Sequence, residues 1–274
     1  MTIKLDGPLL LVGAGKMGGA MLTGWLGRGL DPRQVVAVDP APPEEIKALL
    51  VKHGIRLEAA APKLERAPSV ILMAVKPQVM DTVFPPLAKL AGPGTVVISI
   101  AAGRTIASFE RYLAPGIAVI RTMPNTPAAI GRGITVGAAN THAGKIARDL
   151  CETLLSAVGE VGWVEDEALI DAVTAVSGSG PAYVFLLAEC LAAAGVQAGL
   201  DPALAMRLAR ATVSGSGELL HQSDLDAATL RKNVTSPGGT TAAALDVLMA
   251  GDGLQPLLTK AVLAAAKRGR ELAG

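Results

Sequence analysis

Aromatic residues are scarce in this chain, at 3% of 274 residues. That leaves too few stacking faces for a single-stranded nucleic-acid platform. An excess of one charge is missing too. Lys plus Arg number 25 and Asp plus Glu 24, and a net charge of +1 offers no cationic footprint for a polyanion. The two cysteines, Cys151 and Cys190, lie far apart and form no CxxC, which predicts a reduced, cytoplasmic protein. His53, His142 and His221 are isolated, with no Cys, Asp or Glu at ligand spacing, so no metal is expected. Neither HExxH nor a nucleophile elbow occurs. The opening MTIKLDGPLLLVGAG has an apolar run too short and too glycine-rich for a signal peptide or a membrane span.

Hydrophobic residues are plentiful, at 50% of the chain. The stretch 182–200, AYVFLLAECLAAAGVQAGL, approaches the length of a membrane helix. Glu189, Gly195 and Gln197 interrupt it and no basic flank follows. It reads as a helix buried on most sides, and a subunit interface is the place for it.

The first part of the chain alternates short apolar runs with helical patterns. Runs at 8–13, 35–39, 69–75, 95–100, 117–122, 134–139 and 159–164 read as strands. Helices are expected over 16–26, over EEIKALLVKH ending at Gly54, after Pro77, and over 143–159. Uniformly apolar strands alternating with helices imply a mostly parallel sheet covered on both faces. Beyond about Glu165 the strands stop and every segment reads as helix, punctuated by Gly, Asp and Pro. The expected organisation is an α/β domain over 1–164 followed by an all-helical domain over 165–274.

LLLVGAGKMGGA places Gly13, Gly15 and Gly18 in GxGxxG spacing, between a strand and a helix. Gly13 permits the tight turn, Gly15 lets a pyrophosphate approach the backbone, and Gly18 lets the helix pack on the strand. The amides of the helix start, Lys16 and Met17 included, then face the phosphates. Asp39 closes the second strand about twenty residues further on, where an adenosine ribose would lie. Its carboxylate accepts from a ribose 2′-hydroxyl and repels a 2′-phosphate, which favours NADH over NADPH. Read as structure alone, Asp39 is a turn residue before Pro40. Together these features give a doubly wound Rossmann domain that binds a dinucleotide.

Four further stretches follow: AVKPQ (74–78), SIAAG (99–103), MPNTP (123–127) and SGSGPAY (177–183). AVKPQ and MPNTP each follow an apolar strand, at the carboxyl edge where such sheets bind ligands. They make Ala74, Val75, Lys76, Pro77, Met123, Pro124 and Asn125 candidate cofactor-binding residues, with Ala101 of SIAAG beside them. Near the C-terminus, SPGGTTAAALDVL puts glycines and hydroxyls directly before a helix. Thr240 or Thr241 can cap that helix, and Gly238 and Gly239 offer backbone N–H groups to an anion such as a carboxylate. With the front motif, these stretches resemble the pyrroline-5-carboxylate reductase family in order and through both domains. SPGGTT is the most specific element of the likeness.

The resemblance implies a Rossmann domain followed by a helical dimerisation domain, and reduction of 1-pyrroline-5-carboxylate to L-proline, the last step of proline biosynthesis. It implies NADPH or NADH as cofactor and a homodimer, assembled into decamers in many members. It places the Thr241 hydroxyl beside the substrate ring nitrogen, with Ser236, Gly238, Gly239, Thr240 and Ser179 as substrate-binding residues. Ser177 and Ser179 are not separable as lining or capping residues. Asp39 departs from the family, many of whose members carry a small polar residue there. Two other readings compete. A β-hydroxyacid-type dehydrogenase shares the layout but wants a lysine base, and Lys232 sits in no matching motif. A non-catalytic ligand-binding module would not need Thr241.

Overall fold

The computed structural model describes residues 3–273. Eight strands form one sheet in the order β3-β2-β1-β4-β5-β6-β7-β8. They are β1 (Leu9–Val12), β2 (Val35–Val38), β3 (Arg56–Glu58), β4 (Val70–Met73), β5 (Val96–Ser99), β6 (Ala118–Met123), β7 (Gly133–Ala139) and β8 (Gly159–Trp163). All neighbours run parallel except β6 and β7. In β1, Leu9 stands beside Val35 on one side and Val70 on the other. The chain leaves β1 first toward β2 and later returns to β4. The order therefore reverses at β1, and a crevice opens outside the carboxyl ends of β1 and β4.

Side chains in the central strands alternate between two cores, as the two-residue period requires. Leu9, Leu11, Val35, Ala37, Val70, Leu72, Val96 and Ile98 face one layer. That layer is built from α1 (Lys16–Gly27) and, after three intervening helices, α5 (Lys145–Leu155). Leu10, Val12, Val36, Val38, Ile71, Met73 and Val97 face the other. There α3 (Met80–Ala88) supplies Phe84, and α4 (Ile106–Glu110) supplies Phe109, their rings 5.0 Å apart edge to face. The remaining helix of this half, α2 (Glu44–His53), buries Ile46 and Leu50. Trp25 on α1 is fully buried, and its indole N–H donates to the Leu154 carbonyl at 2.9 Å. Its deep burial therefore leaves no polar atom unpaired.

The chain divides into two compact units: Met1–Gly178 with Ala266–Gly274, and Ser179–Ala265. The first unit thus runs beyond Val164 through α6 (Ile170–Val173) and a π-helical turn, Thr174–Gly178. The second begins with α7 (Gly180–Gln197) and α8 (Pro202–Gln222), joined by Asp201, whose carboxylate caps α8 through the Ala203 and Leu204 amides. Then come α9 (Ala227–Asn233), α10 (Thr240–Leu248) and α11 (Leu254–Ala273), which passes back into the first unit.

The burial expected of the 182–200 stretch is not supplied by this chain. Ala192 is the buried residue of α7, while Phe185 is 64% exposed and Val184, Leu186, Leu187 and Leu191 are exposed with it. Glu167–Gln197 is also long and apolar enough to cross a membrane. Its first third, however, is tied to the sheet by ion pairs from Arg121.

Candidate active site and cofactor loops

The turn from β1 into α1 is shaped by three glycines in three ways. Gly13 has φ +92°, and a Cβ there would stand 2.7 Å from the Ala74 carbonyl oxygen. A Cβ on Gly18 would stand 2.1 Å from the Gly13 carbonyl oxygen, so the helix closes on the strand only without one. A Cβ on Gly15 would meet nothing within 4 Å. Gly15 therefore satisfies no packing need of the chain itself, and its face opens on space at the start of α1. It is the N-cap of α1 and makes no side-chain cap, so the amides of Lys16, Met17 and Gly18 lack intrahelical partners and point at that space. This is the polarity an anion requires.

Asp39 follows β2 directly. One carboxylate oxygen accepts the Ala14 N–H at 2.7 Å and the other accepts the Ala41 N–H at 2.9 Å. The turn role expected of a lone Asp before proline is therefore real, and the same group also pins the glycine turn. Ala74 continues the edge, its N–H donating to the Val12 carbonyl at 2.7 Å. Its backbone, with that of Val75, forms the wall against Gly13. Lys76 is exposed, and Pro77 starts a short 3-10 turn, Pro77–Val79. At the end of β5, Ala101 is buried and donates to Ser99 Oγ at 3.2 Å. Arg104, just beyond, pairs with Asp81 of α3, and these hydrogen bonds hold the Asp81 carboxyl below its ordinary range. At the end of β6, Pro124 is buried and Asn125 Oδ1 accepts the Ile134 N–H at 3.0 Å.

Two of the sequence stretches meet within the first unit. A Cβ on Gly178 would stand 2.6 Å from the terminal methyl of Met123, so SGSG and MPNTP are in direct contact, and a larger residue at 178 would push that side chain aside. The neighbouring Ser177 Oγ is buried and has no hydrogen-bond partner. Ser179 is the N-cap of α7 in the second unit, without a side-chain cap bond.

In the second unit the start of α10 differs from expectation. Gly239, not a threonine, is the N-cap, and no side chain caps the helix. Thr240 and Thr241 stand inside the first turn. The Gly239 N–H is not open either, because it donates to the Ser236 carbonyl at 3.0 Å. The unpaired donors at this helix start are the amides of its first turn, and the threonine hydroxyls are released from structural work.

One polar cluster escaped the sequence reading. Arg121 in β6 is 3% exposed and pairs with both Glu167 and Asp171. A lone arginine within the apolar run IAVIRT was the available signal. A cavity of about 1320 Å³, lined by Lys4, Ser69, Thr95, His142 and Lys145, lies at the amino ends of the strands. That is the wrong edge for the glycine turn and its loops.

The sequence pattern described as pyrroline-5-carboxylate reductase dimerisation matches residues 167–272. That described as NADP oxidoreductase, coenzyme F420-dependent, matches residues 9–103. A pyrroline-5-carboxylate reductase of Synechocystis is 40% identical over 275 residues, covering 99% of both chains. The chain belongs to the pyrroline-5-carboxylate reductase family. It is an oxidoreductase of proline biosynthesis that takes a nicotinamide cofactor and a small-molecule substrate, and it carries the family's dimerisation domain. Among solved structures, a pyrroline-5-carboxylate reductase from Coxiella burnetii matches with a TM-score of 0.90 at 33% identity, covering 98% of this chain and 99% of that one. The Plasmodium falciparum reductase with NADP bound matches at 0.80 and 27%, with the same coverage. The glycine turn fits such a cofactor: the space beside Gly15 is what a Cβ would fill and a pyrophosphate needs.

Proposed function

We propose that this reductase converts 1-pyrroline-5-carboxylate to L-proline with NADH or NADPH, in the cytoplasm, as a homodimer or a decamer built from dimers. The observation that carries the cofactor reading is the open, anion-ready space at Gly15, and within the second unit the start of α10, with no side-chain cap, leaves Thr240 and Thr241 free for ligand.

Gly13, Gly15, Lys16, Met17 and Gly18 hold the pyrophosphate. Asp39 meets the adenosine ribose, and Ala74, Val75, Lys76, Pro77, Ala101, Met123, Pro124 and Asn125 line the path toward the nicotinamide. Because Asn125 Oδ1 is engaged by the Ile134 amide, its NH₂ is the group that meets ligand. The bound reduced nicotinamide supplies hydride to the imine carbon. The rest of the work is binding, alignment and one proton. Amides at the start of α10, with Ser236, Gly238 and Gly239 in the loop before it, receive the substrate carboxylate, and Ser179 is assigned to the same substrate by the family resemblance. The Thr241 hydroxyl donates a hydrogen bond to the neutral ring nitrogen and relays to it, from solvent water that reprotonates the hydroxyl, the one proton that the amine product keeps as hydride reaches the carbon.

Two features support NADH over NADPH. The Asp39 carboxylate stands at the end of β2, where it repels a 2′-phosphate. Lys47 of α2, a cation that could compensate for such a phosphate, is paired with Glu44 at 2.5 Å. Purified protein given pyrroline-5-carboxylate and each reduced cofactor tests the whole reading, by loss of nicotinamide absorbance and appearance of proline. A folded preparation that binds cofactor and forms no proline ends it.

A further inference from the structure

Arg121 is an expensive residue to place where it is. Its guanidinium is buried, with Nη1 3.1 Å from Glu167 Oε1 and Nη2 3.2 Å from Asp171 Oδ1. Its Nε is also buried and has no partner. A buried pair of this kind, with one donor unsatisfied, is weak evidence for stability, since apolar side chains of similar size often serve a core as well or better. What the cluster does provide is a fixed register between a strand and a helical segment. Glu167 and Asp171 are four residues apart, so one helical face presents both carboxylates to one planar fork. Glu167 Oε1 also accepts the Ile106 N–H at 2.8 Å, which adds the start of α4, just after the SIAAG loop.

A second contact lies further along the same strand face. Arg121 and Met123 are two residues apart in β6 and so project to one side. Met123 packs against Gly178, seven residues beyond Asp171, at the end of the π-helical turn. Segment 167–178 thus meets β6 at two points, a charged clamp and an apolar contact between Gly178 and the Met123 side chain. Between them lies Ser177, whose buried hydroxyl has no partner. Single π-turns recur at functional sites, where they re-aim side chains within a helix.

We propose that Arg121 is a positioning residue for imine reduction: by gripping Glu167 and Asp171 it holds segment 167–178 in register with β6, and so fixes Ser177 relative to the Met123–Asn125 loop. This rests on the reading that these loops serve the nicotinamide end of the site. Arg121 touches neither substrate nor cofactor in this role.

Three variants test it in the full-length protein. Arg121→Lys keeps the charge but replaces a two-pronged fork with a single ammonium. Asp171→Asn keeps the shape and removes one charge. The triple variant R121M/E167Q/D171N removes every charge of the cluster together, so that no ion is left buried alone. Each is assayed for thermal midpoint, NADH affinity by nicotinamide fluorescence, and kcat and KM for pyrroline-5-carboxylate. The expected result is a fall in kcat of tenfold or more in each variant that folds. NADH Kd should stay within threefold, because the glycine turn and Asp39 are untouched. The triple variant should lose turnover at temperatures well below its thermal midpoint and with NADH Kd unchanged, a combination that a merely structural role does not produce. A folded triple variant with kcat within threefold of wild type overturns the proposal while leaving the reductase reading intact. Wild-type protein that reduces no pyrroline-5-carboxylate overturns both.

Discussion

Asp39 and Ala14 are joined by a 2.7 Å hydrogen bond from the alanine amide to the carboxylate, which ties the end of β2 to the glycine turn after β1. Any ribose that Asp39 receives is therefore received by a group already fixed in place. The same bond complicates a substitution, because removing the carboxylate loosens the turn as well. Asp39→Asn separates the two effects. Its remaining oxygen can still accept from Ala14, and the charge is gone.

For both Asp39→Asn and Asp39→Ser, the ratio of kcat/KM for NADH to that for NADPH should fall by roughly tenfold or more, or about 1.4 kcal/mol of discrimination. Asp39→Ser should also lower the thermal midpoint, having lost two amide partners, whereas Asp39→Asn should lower it less. Steady-state kinetics with each cofactor checks this. An unchanged ratio in both variants means that Asp39 serves the turn alone.

The glycines of the turn make opposite predictions. Gly18→Ala forces a Cβ to 2.1 Å from the Gly13 carbonyl oxygen and should destabilise the fold by roughly 1–3 kcal/mol. Gly15→Ala meets nothing within 4 Å and has an ordinary negative φ of −73°. It should leave thermal stability nearly unchanged while raising the cofactor Kd about tenfold or more. Calorimetry and fluorescence titration on the two proteins give the contrast. Tight cofactor binding by Gly15→Ala would show that the open space is not the pyrophosphate seat.

The sheet was legible because its central strands are apolar without interruption, which identifies strands buried on both faces. The packing roles of Gly13 and Gly18 were legible from spacing alone, whereas the bond from the Ala14 amide to Asp39 was not. Strand β3 was not, because Arg56, Leu57 and Glu58 form a three-residue edge with charges at both ends and no apolar run. The antiparallel turn of β7 was hidden for another reason: apolar content reports burial, not direction. At α10 the hydroxyls suggested a cap, yet Gly239 takes that position and leaves the threonines free. The Arg121 cluster depends on contacts more than forty residues apart in sequence, which no local pattern encodes.

The apolar face of α7 predicts its own cover. Phe185 is 64% exposed in the single chain, and Val184, Leu186 and Leu187 lie open beside it. A patch of this kind marks an interaction surface, and α7 lies inside the stretch that matches the dimerisation pattern, 167–272, so another copy of the chain is its expected cover. Phe185→Asp would place a charge in that contact and should shift the mass seen by light scattering at micromolar concentration toward one chain. Wild-type mass already equal to one chain would remove α7 from any interface.

Thr241 offers the sharpest test of the chemistry, because the structure has taken away its competing role. Gly239 is the N-cap of α10 and no side chain caps the helix, so the Thr241 hydroxyl is not needed to start it. Thr241→Val keeps the branched shape and deletes the oxygen. Since Val and Thr have similar helix propensities and the residue is only half-buried, stability should change by no more than about 0.5 kcal/mol. Cofactor affinity should hold, because the groups assigned to the dinucleotide lie elsewhere in the chain. If the hydroxyl donates to the imine nitrogen, kcat/KM for pyrroline-5-carboxylate should drop by roughly tenfold to a thousandfold, equivalent to about 1.4–4 kcal/mol of transition-state stabilisation. Thermal midpoint, cofactor Kd and kinetics measured on one preparation separate the possibilities. A loss of stability with turnover intact would return Thr241 to a structural role. Loss of turnover at constant stability and constant cofactor affinity would leave proton donation to the ring nitrogen as its function.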